Sequence, residues 1–301
     1  MSNPIQELTR EGVSVWVDSI ARDWLEKGEL RRLRDHHGIV GVTSNPTIFQ
    51  AAMVEGSFYD DQLASLADQG LGAQGIFERL ALYDIRWAAH DLRPVHQATG
   101  GRDGYVSYEL PPDIARDPDE SIFQAARLFD LLGLPNVLIK IPATVEGLPA
   151  IRASIAAGIN VNVTLIFSIA RYREVVDAYL SGLEERAARG GELGHIASVA
   201  SFFVSRLDTL VDPKLEERFE EGGPDAALAE ARLGTAAIDN AKLAYQARLE
   251  LFAGPRWQAL QAKGARHQRC LWASTSTKNP HYRDVLYSEE LVGRDTVNTM
   301  P

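Results

Sequence analysis

Eight short runs rich in Val, Ile and aromatic residues recur along this chain, each followed by loop or helix-forming sequence. They cover residues 13–18 (VSVWVD), 39–43 (IVGVT), 105–110 (YVSYEL), 136–141 (NVLIKI), 159–165 (INVNVTL), 196–203 (IASVASFF), 269–274 (RCLWAS) and 295–299 (DTVNT). Each has the length and composition of a β-strand. The stretches between them read as helices: 121–132, a segment within 165–189 with Ser168 as N-cap, and 226–251 as one long exposed helix. Strands alternating with helices imply parallel βαβ units. Eight such strands point to a closed α/β barrel of the TIM (β/α)8 type, a fold that commonly takes about 250 residues as one unit. The 301 residues are expected to form one such domain, 1–301, with extra helical material at 56–97 and 214–251 decorating its outside. Gly-rich points such as Gly100-Gly101 and Gly190-Gly191 are too short to be domain linkers, and no internal repeat is evident.

One feature departs from the pattern. The eighth run ends at Thr299 and the chain at Pro301, so the helix that normally covers a barrel's last strand is missing. The expectation is bare apolar surface on the outer faces of strands one and eight. A C-terminally shortened form, or a helix supplied by a partner, would account for it.

Composition narrows the function. Hydrophobic residues make up 45% of the chain, ample for a large core, and the formal net charge is −10 without basic runs. Such a chain is a poor partner for nucleic acid or anionic membranes, though a few local cations can still hold anionic small molecules. Cys270 is the one cysteine, which excludes a disulfide framework and fits a reducing compartment. No leader pattern or membrane-length apolar run is seen, so a cytoplasmic protein is expected. The seven His are scattered, and no CxxC, HExxH, Walker loop or dinucleotide fingerprint occurs. No metal and no cofactor is expected.

Lys140 sits inside the apolar run NVLIKIPAT. A lysine held in a buried strand loses hydration, which favours the neutral amine that attacks a ketone to form a Schiff base. An edge strand would instead turn it to solvent, but a closed barrel has no edge. In INVNVTL, Asn160, Asn162 and Thr164 alternate with Val161, Val163 and Leu165, so one face is polar and the other apolar. Helices should cover the apolar face, leaving the polar one to the barrel interior. Asp18 and Glu109 stand at or near the C-terminal ends of their strands, where barrel enzymes place reactive groups. Alone, either acid would read as a helix cap or a surface charge. With Lys140 and Thr164 they form an amine, two carboxyls and a hydroxyl at four strand ends, a set suited to imine and acid/base chemistry. Asn45 in TSNP can cap the helix before Pro46, bind a substrate hydroxyl, or both. Arg206 and Lys278 follow strands six and seven, where barrel phosphate sites are often built. Ser201 and Ser274 stand near them, although a lone Arg is ordinarily a surface charge.

Taken in series, VWVDSI, TSNPTIF, VSYEL, NVLIKIPAT, INVNVTLIFS and SFFVSRLD resemble the transaldolase family, from about Ser14 to the last residue. The long insertions and WASTSTKNP look like its longer bacterial branch. The resemblance implies a role in non-oxidative pentose phosphate metabolism. Lys140 would attack the C2 ketone of fructose 6-phosphate or sedoheptulose 7-phosphate. Glu109 and Thr164 would handle the water lost and regained. Asp18 would take the C4 hydroxyl proton, and C3–C4 would break. The dihydroxyacetone unit would pass from Lys140 to glyceraldehyde 3-phosphate or erythrose 4-phosphate. Asn45 and Asn162 would hold its hydroxyls. Ser201, Arg206, Ser274 and Lys278 would hold phosphate, with Lys278 standing where relatives often carry Arg. A monomer or homodimer is expected. Three alternatives are a fructose 6-phosphate aldolase releasing free dihydroxyacetone, a Schiff-base aldolase acting on another sugar, and an inactive shortened barrel. Glu109 and the insertions argue against the first, and the filled reactive positions against the last.

Overall fold

The computed structural model describes residues 3–301, so Met1 and Ser2 of the expected 1–301 unit lie outside it. All eight expected strands form: β1 Val13–Val17, β2 Gly41–Val42, β3 Tyr105–Glu109, β4 Val137–Pro142, β5 Val161–Ile166, β6 Ser198–Phe203, β7 Arg269–Ala273 and β8 Thr296–Met300. They run parallel, pair in chain order and close on themselves, β1 bonding to both β2 and β8. The fold is an α/β TIM-type barrel.

Side-chain alternation divides the barrel into an outside and an inside. Val13, Val15, Val17, Ile139, Ile141, Val161 and Val163 join the large core shared with the surrounding helices. A second, smaller core fills the barrel's middle: Trp16, Tyr105, Leu138, Val199, Leu271, Ala273 and Val297. Trp16 is fully buried there, and Gly41 makes room for it. A Cβ on Gly41 would come within 2.4 Å of the indole. At the N-terminal end of the strands, Arg269 donates to Asp103 at 3.0 Å and to Ser14 at 2.5 Å. The barrel interior is thus charged at one end, apolar in the middle and, as shown below, polar at the other.

The helices follow local sequence signals. Ser168 caps Ile169–Ala188 by accepting from the Arg171 amide at 3.2 Å. Asp117 caps Pro118–Leu132 in the same way through Glu120, starting that helix three residues before the expected 121. Two expectations fail. The stretch 226–251 is not one exposed helix but two, Ala226–Ala231 and Ala236–Leu251. Gly234 breaks it with φ +68°, and the carboxylates of Asp212 and Asp208 capture the amides of Gly234 and Ala237 at 3.1 and 2.7 Å. The second of these helices buries Ala237, Ala241, Ala244 and Ala247 and packs on β7. Likewise Ala73–Ala98 packs on β3, burying Leu80, Ile85, Ala88 and Leu92. Both are barrel helices rather than external decoration.

The third correction concerns the outer faces of β1 and β8. Val13, Val15 and Val17 are at most 6% exposed, and Thr296 and Asn298 at most 2%. The helix Pro4–Arg10 packs beside β1, and β8 offers Thr and Asn rather than aliphatic side chains. The expected bare apolar surface is therefore not there. Among the described residues no helix is long and apolar enough to cross a membrane.

Candidate active site

Parallel pairing sets the site's geometry. Glu109 and Lys140 are register partners on β3 and β4, so both side chains leave the sheet at one height and on one face. Their charged ends meet at 2.9 Å. Lys140 Nζ also donates to the Ser44 carbonyl at 3.1 Å, and the residue is only 6% exposed. The lysine that the sequence places in an apolar run is therefore buried but ion-paired.

Asp18 follows β1 directly. Its Oδ1 accepts from Thr43 Oγ1 at 2.5 Å, and Thr43 Oγ1 lies 2.6 Å from Thr299 Oγ1. With Thr43 donating to the carboxylate, Thr299 donates to Thr43, so two hydroxyls in line fix the Asp18 carboxylate. Asn45 accepts from the Ile48 amide at 3.0 Å, capping Pro46–Val54 while also facing the cavity described next. The cap and binding readings of Asn45 are compatible. Thr164 Oγ1 is buried with no partner among the described residues. A buried hydroxyl left unpaired costs about 1–3 kcal/mol, so it is poised to bond whatever enters.

A cavity of about 660 Å³ opens at the C-terminal ends of the strands. Asp18, Asn45, Glu109, Lys140, Thr164, Ser201, Arg206, Ser274 and Lys278 all line it. Its volume suits a phosphorylated sugar. Asn162 does not line it. As the register partner of Lys140 on β5, it lies at the level of the lysine's α-carbon, below the cavity floor. Its amide donates to Ser107 Oγ at 3.0 Å and accepts from Ser201 Oγ at 2.7 Å.

The cationic end comes from β6 and β7. Arg206 stands in the first turn of Ser205–Glu221 and lies over the Phe203 ring at 5.1 Å. It has no ion pair among the described residues. Lys278 Nζ donates to Ser276 Oγ at 2.7 Å. Ser274 Oγ lies 2.9 Å from Ser205 Oγ. A helix N-terminus with an unpaired guanidinium is a ready anion site. Two cavity residues carry strained backbones: Leu165 at φ +60° and Ser274 at φ +57°. Left-handed conformations cost of order 1 kcal/mol or more outside glycine and collect at functional sites. The strain at Leu165 coincides with a register shift between Val163 and Ile166. It ends the period-two alternation just after Thr164 and turns Leu165 to the cavity rim.

A family model described as Transaldolase/Fructose-6-phosphate aldolase matches residues 15–301. The chain belongs to that family. Among curated members of this transaldolase family, the Transaldolase of Thermobifida fusca is 52% identical over 301 residues, covering 100% of this chain and 80% of the relative. The Transaldolase of Acidothermus cellulolyticus is 52% identical over 302 residues, covering 100% of this chain and 79% of its own. Transaldolase 2 of a Nostoc species is 48% identical over 303 residues, covering 99% and 79%.

Several residues of this family member's site escaped the sequence reading. Thr43 and Thr299 are 256 positions apart, and only barrel closure brings them together. Ser107 escaped because a serine within an apolar strand carries no distinctive signal. Ser44 escaped because it acts through its backbone, the carbonyl accepting from Lys140 at 3.1 Å. Phe203, an apolar wall beneath Arg206, reads from sequence as core.

Proposed function

We propose that this chain is a transaldolase that carries a dihydroxyacetone unit on Lys140. The contact between Lys140 and Glu109, at the floor of a cavity whose wall also holds Asp18 and Thr164, carries the reading. The steps follow from chemistry. Lys140 gives a proton to Glu109, and its nitrogen adds to the C2 carbonyl of a ketose phosphate. The carbinolamine loses its hydroxyl as water, with Glu109 and Thr164 moving the protons, and leaves a protonated imine. Asp18 removes the C4 hydroxyl proton. The C3–C4 electron pair moves into the imine to give an enamine, and an aldose phosphate departs. A second aldose phosphate enters, the enamine carbon attacks its aldehyde, and hydrolysis frees the new ketose.

Asn45 would bind hydroxyls of the retained fragment, with Asn162 holding Ser201 in place from below. Arg206, Ser201, Ser274 and Lys278 would hold the phosphate. Donors fitting this pocket are fructose 6-phosphate and sedoheptulose 7-phosphate, and acceptors glyceraldehyde 3-phosphate and erythrose 4-phosphate. Such sugars place the enzyme in the cytoplasm, acting without metal or cofactor, as a monomer or homodimer.

The deciding experiment is intact mass spectrometry after incubation with fructose 6-phosphate and borohydride. Wild type should gain one reduced dihydroxyacetone adduct, and Lys140→Met none. A folded wild type that gains no adduct would sink the proposal. Adding erythrose 4-phosphate before borohydride should discharge the adduct. Free dihydroxyacetone released from fructose 6-phosphate alone, at a rate that the acceptor does not change, would make the chemistry that of an aldolase.

A further inference from the structure

The N-terminal end of the barrel holds a second cavity, of about 720 Å³, larger than the one around Lys140. Arg93, His96, His195 and Arg266 line it, with Asp130 as the one carboxylate on its wall. Its two guanidiniums outnumber its one carboxylate, in a chain of net charge −10. Cations often gather at this end of a barrel because helix C-termini present free carbonyls there. Arg266 does this, forking onto the Gly101 and Gly100 carbonyls at 2.7 and 3.0 Å. Arg93 does not. Its Nε is buried without an acceptor, and it forms no ion pair among the described residues. Asp130 forms none either. The His96 ring stands edge-on to Tyr105 at 5.1 Å and has no hydrogen bond among the described residues. Burial, then Arg93 and Arg266, hold the His96 imidazole below its ordinary range, which places all three groups within one another's field. Arg93 is half-buried, and a buried guanidinium Nε–H without an acceptor is costly unless something meets it. Phe129, Leu134 and Pro135 supply an apolar wall opposite.

We propose that this cavity is a second ligand site, for a small phosphomonoester, with Arg93 and Arg266 on the phosphate and Phe129, Leu134 and Pro135 against the organic portion. The apolar layer around Trp16 separates it from the Lys140 site, so it binds a molecule that is not turned over there.

The test is calorimetric titration with phenyl phosphate and with inorganic phosphate. It uses full-length protein carrying Arg206→Gln and Lys278→Gln, which disables the cationic end of the other cavity. One site should remain, binding phenyl phosphate at least about threefold more tightly than phosphate, since burying an aromatic group adds to the phosphate contact. Adding Arg93→Gln should weaken it by about tenfold, the usual scale for losing a charge-assisted bond. Arg93→Gln alone should leave turnover within about twofold of wild type and the melting temperature unchanged or higher, because it removes a buried Nε–H that has no acceptor. Absence of a site in the double variant, equal affinity for the two probes, or an unchanged Kd on adding Arg93→Gln would each overturn the proposal. Should Arg93→Gln fail to fold, Leu134→Asp, which sets a carboxylate on the wall assigned to the organic portion, gives the same reading. Weaker binding supports the site, and an unchanged Kd refutes it.

Discussion

Replacing Gly41 by alanine tests whether the barrel's middle is packed as described. The new methyl carbon would meet three Trp16 ring atoms at 2.4 to 2.6 Å, and ordinary van der Waals contact begins near 3.4 Å. The ring or β2 must therefore move by about 1 Å. The indole has little room to yield, because Trp16 is fully buried, is enclosed by Leu138, Val199 and Val297, and stands 6.4 Å from the Tyr105 ring. Overpacking of this kind typically costs about 1–3 kcal/mol. For a protein of this size that lowers the melting temperature by roughly 2–4 °C per kcal/mol, so a fall of about 2–12 °C is expected. Trp16→Leu alone should also destabilise, by about 2–4 kcal/mol, through the space it opens. In the double variant the methyl moves into that space, and the loss should be smaller than the sum by about 1–2 kcal/mol. Denaturant unfolding of the four proteins, followed by circular dichroism, measures the coupling. Additive losses, or a Gly41→Ala variant within about 0.5 kcal/mol of wild type, would refute the packing argument.

Three further outcomes are expected. Thr43→Val keeps the shape but removes the hydroxyl between Thr299 and Asp18, so kcat should fall by about ten- to a hundredfold while the melting temperature moves little; an unchanged kcat in a coupled assay would show that the carboxylate needs no such positioning. Burial pushes the Asp295 carboxyl up, but the His267 imidazole, 3.8 Å away, and the Arg269, Arg248 and Arg102 cations outweigh it, and the net shift is down. Its native form thus binds fewer protons than its unfolded form. The stability it contributes is full above the ordinary value of 3.8 and is lost as pH falls below that through the lowered native value. Acid titration of stability should be shallower in Asp295→Asn, which tolerates the φ of +59° at this position, and an identical slope would contradict the assignment. Finally, Cys270 is 1% exposed and burial pushes its thiol up to about 11. A thiol reagent at pH 8 should leave the folded protein untouched and label it fully in denaturant; rapid labelling of folded protein would mean that the wall between β7 and Tyr172 opens.

Most of what could be read from sequence rested on local periodicity. The eight strands follow from apolar runs. The inward face of β5 follows from Asn162 and Thr164 alternating with Val161 and Val163, and the cap at Ser168 follows from its neighbours. What escaped depends on closure of the barrel. No local signal tells that Gly41 must be small because Trp16 crosses the interior, or that Thr299 meets Thr43. Asn162 shows the limit within the site itself: its strand face was legible, but the depth at which it stands depends on the register with Lys140. The helix break at 232–235 was missed because Ala-, Leu- and Glu-rich composition outweighed one glycine. Its cause, two buried aspartates on another helix, is not local.

The apolar layer of Trp16, Tyr105, Leu138, Val199, Leu271 and Val297 has a consequence for proton traffic. The proposed Schiff-base cycle would take up and release protons and a water molecule at Lys140 on every turnover. Among the described residues no hydrogen-bonded chain of hydroxyls or carboxylates spans that layer, so in the proposed cycle exchange with bulk solvent would run through the mouth of the cavity, past Thr164 and the strained turn at Leu165. A bound sugar fills that same passage. While it is seated, the proposed chemistry would run on the protons already held by Glu109, Asp18 and the substrate's own hydroxyls, making the barrel a proton reservoir of fixed size that is refilled between substrates.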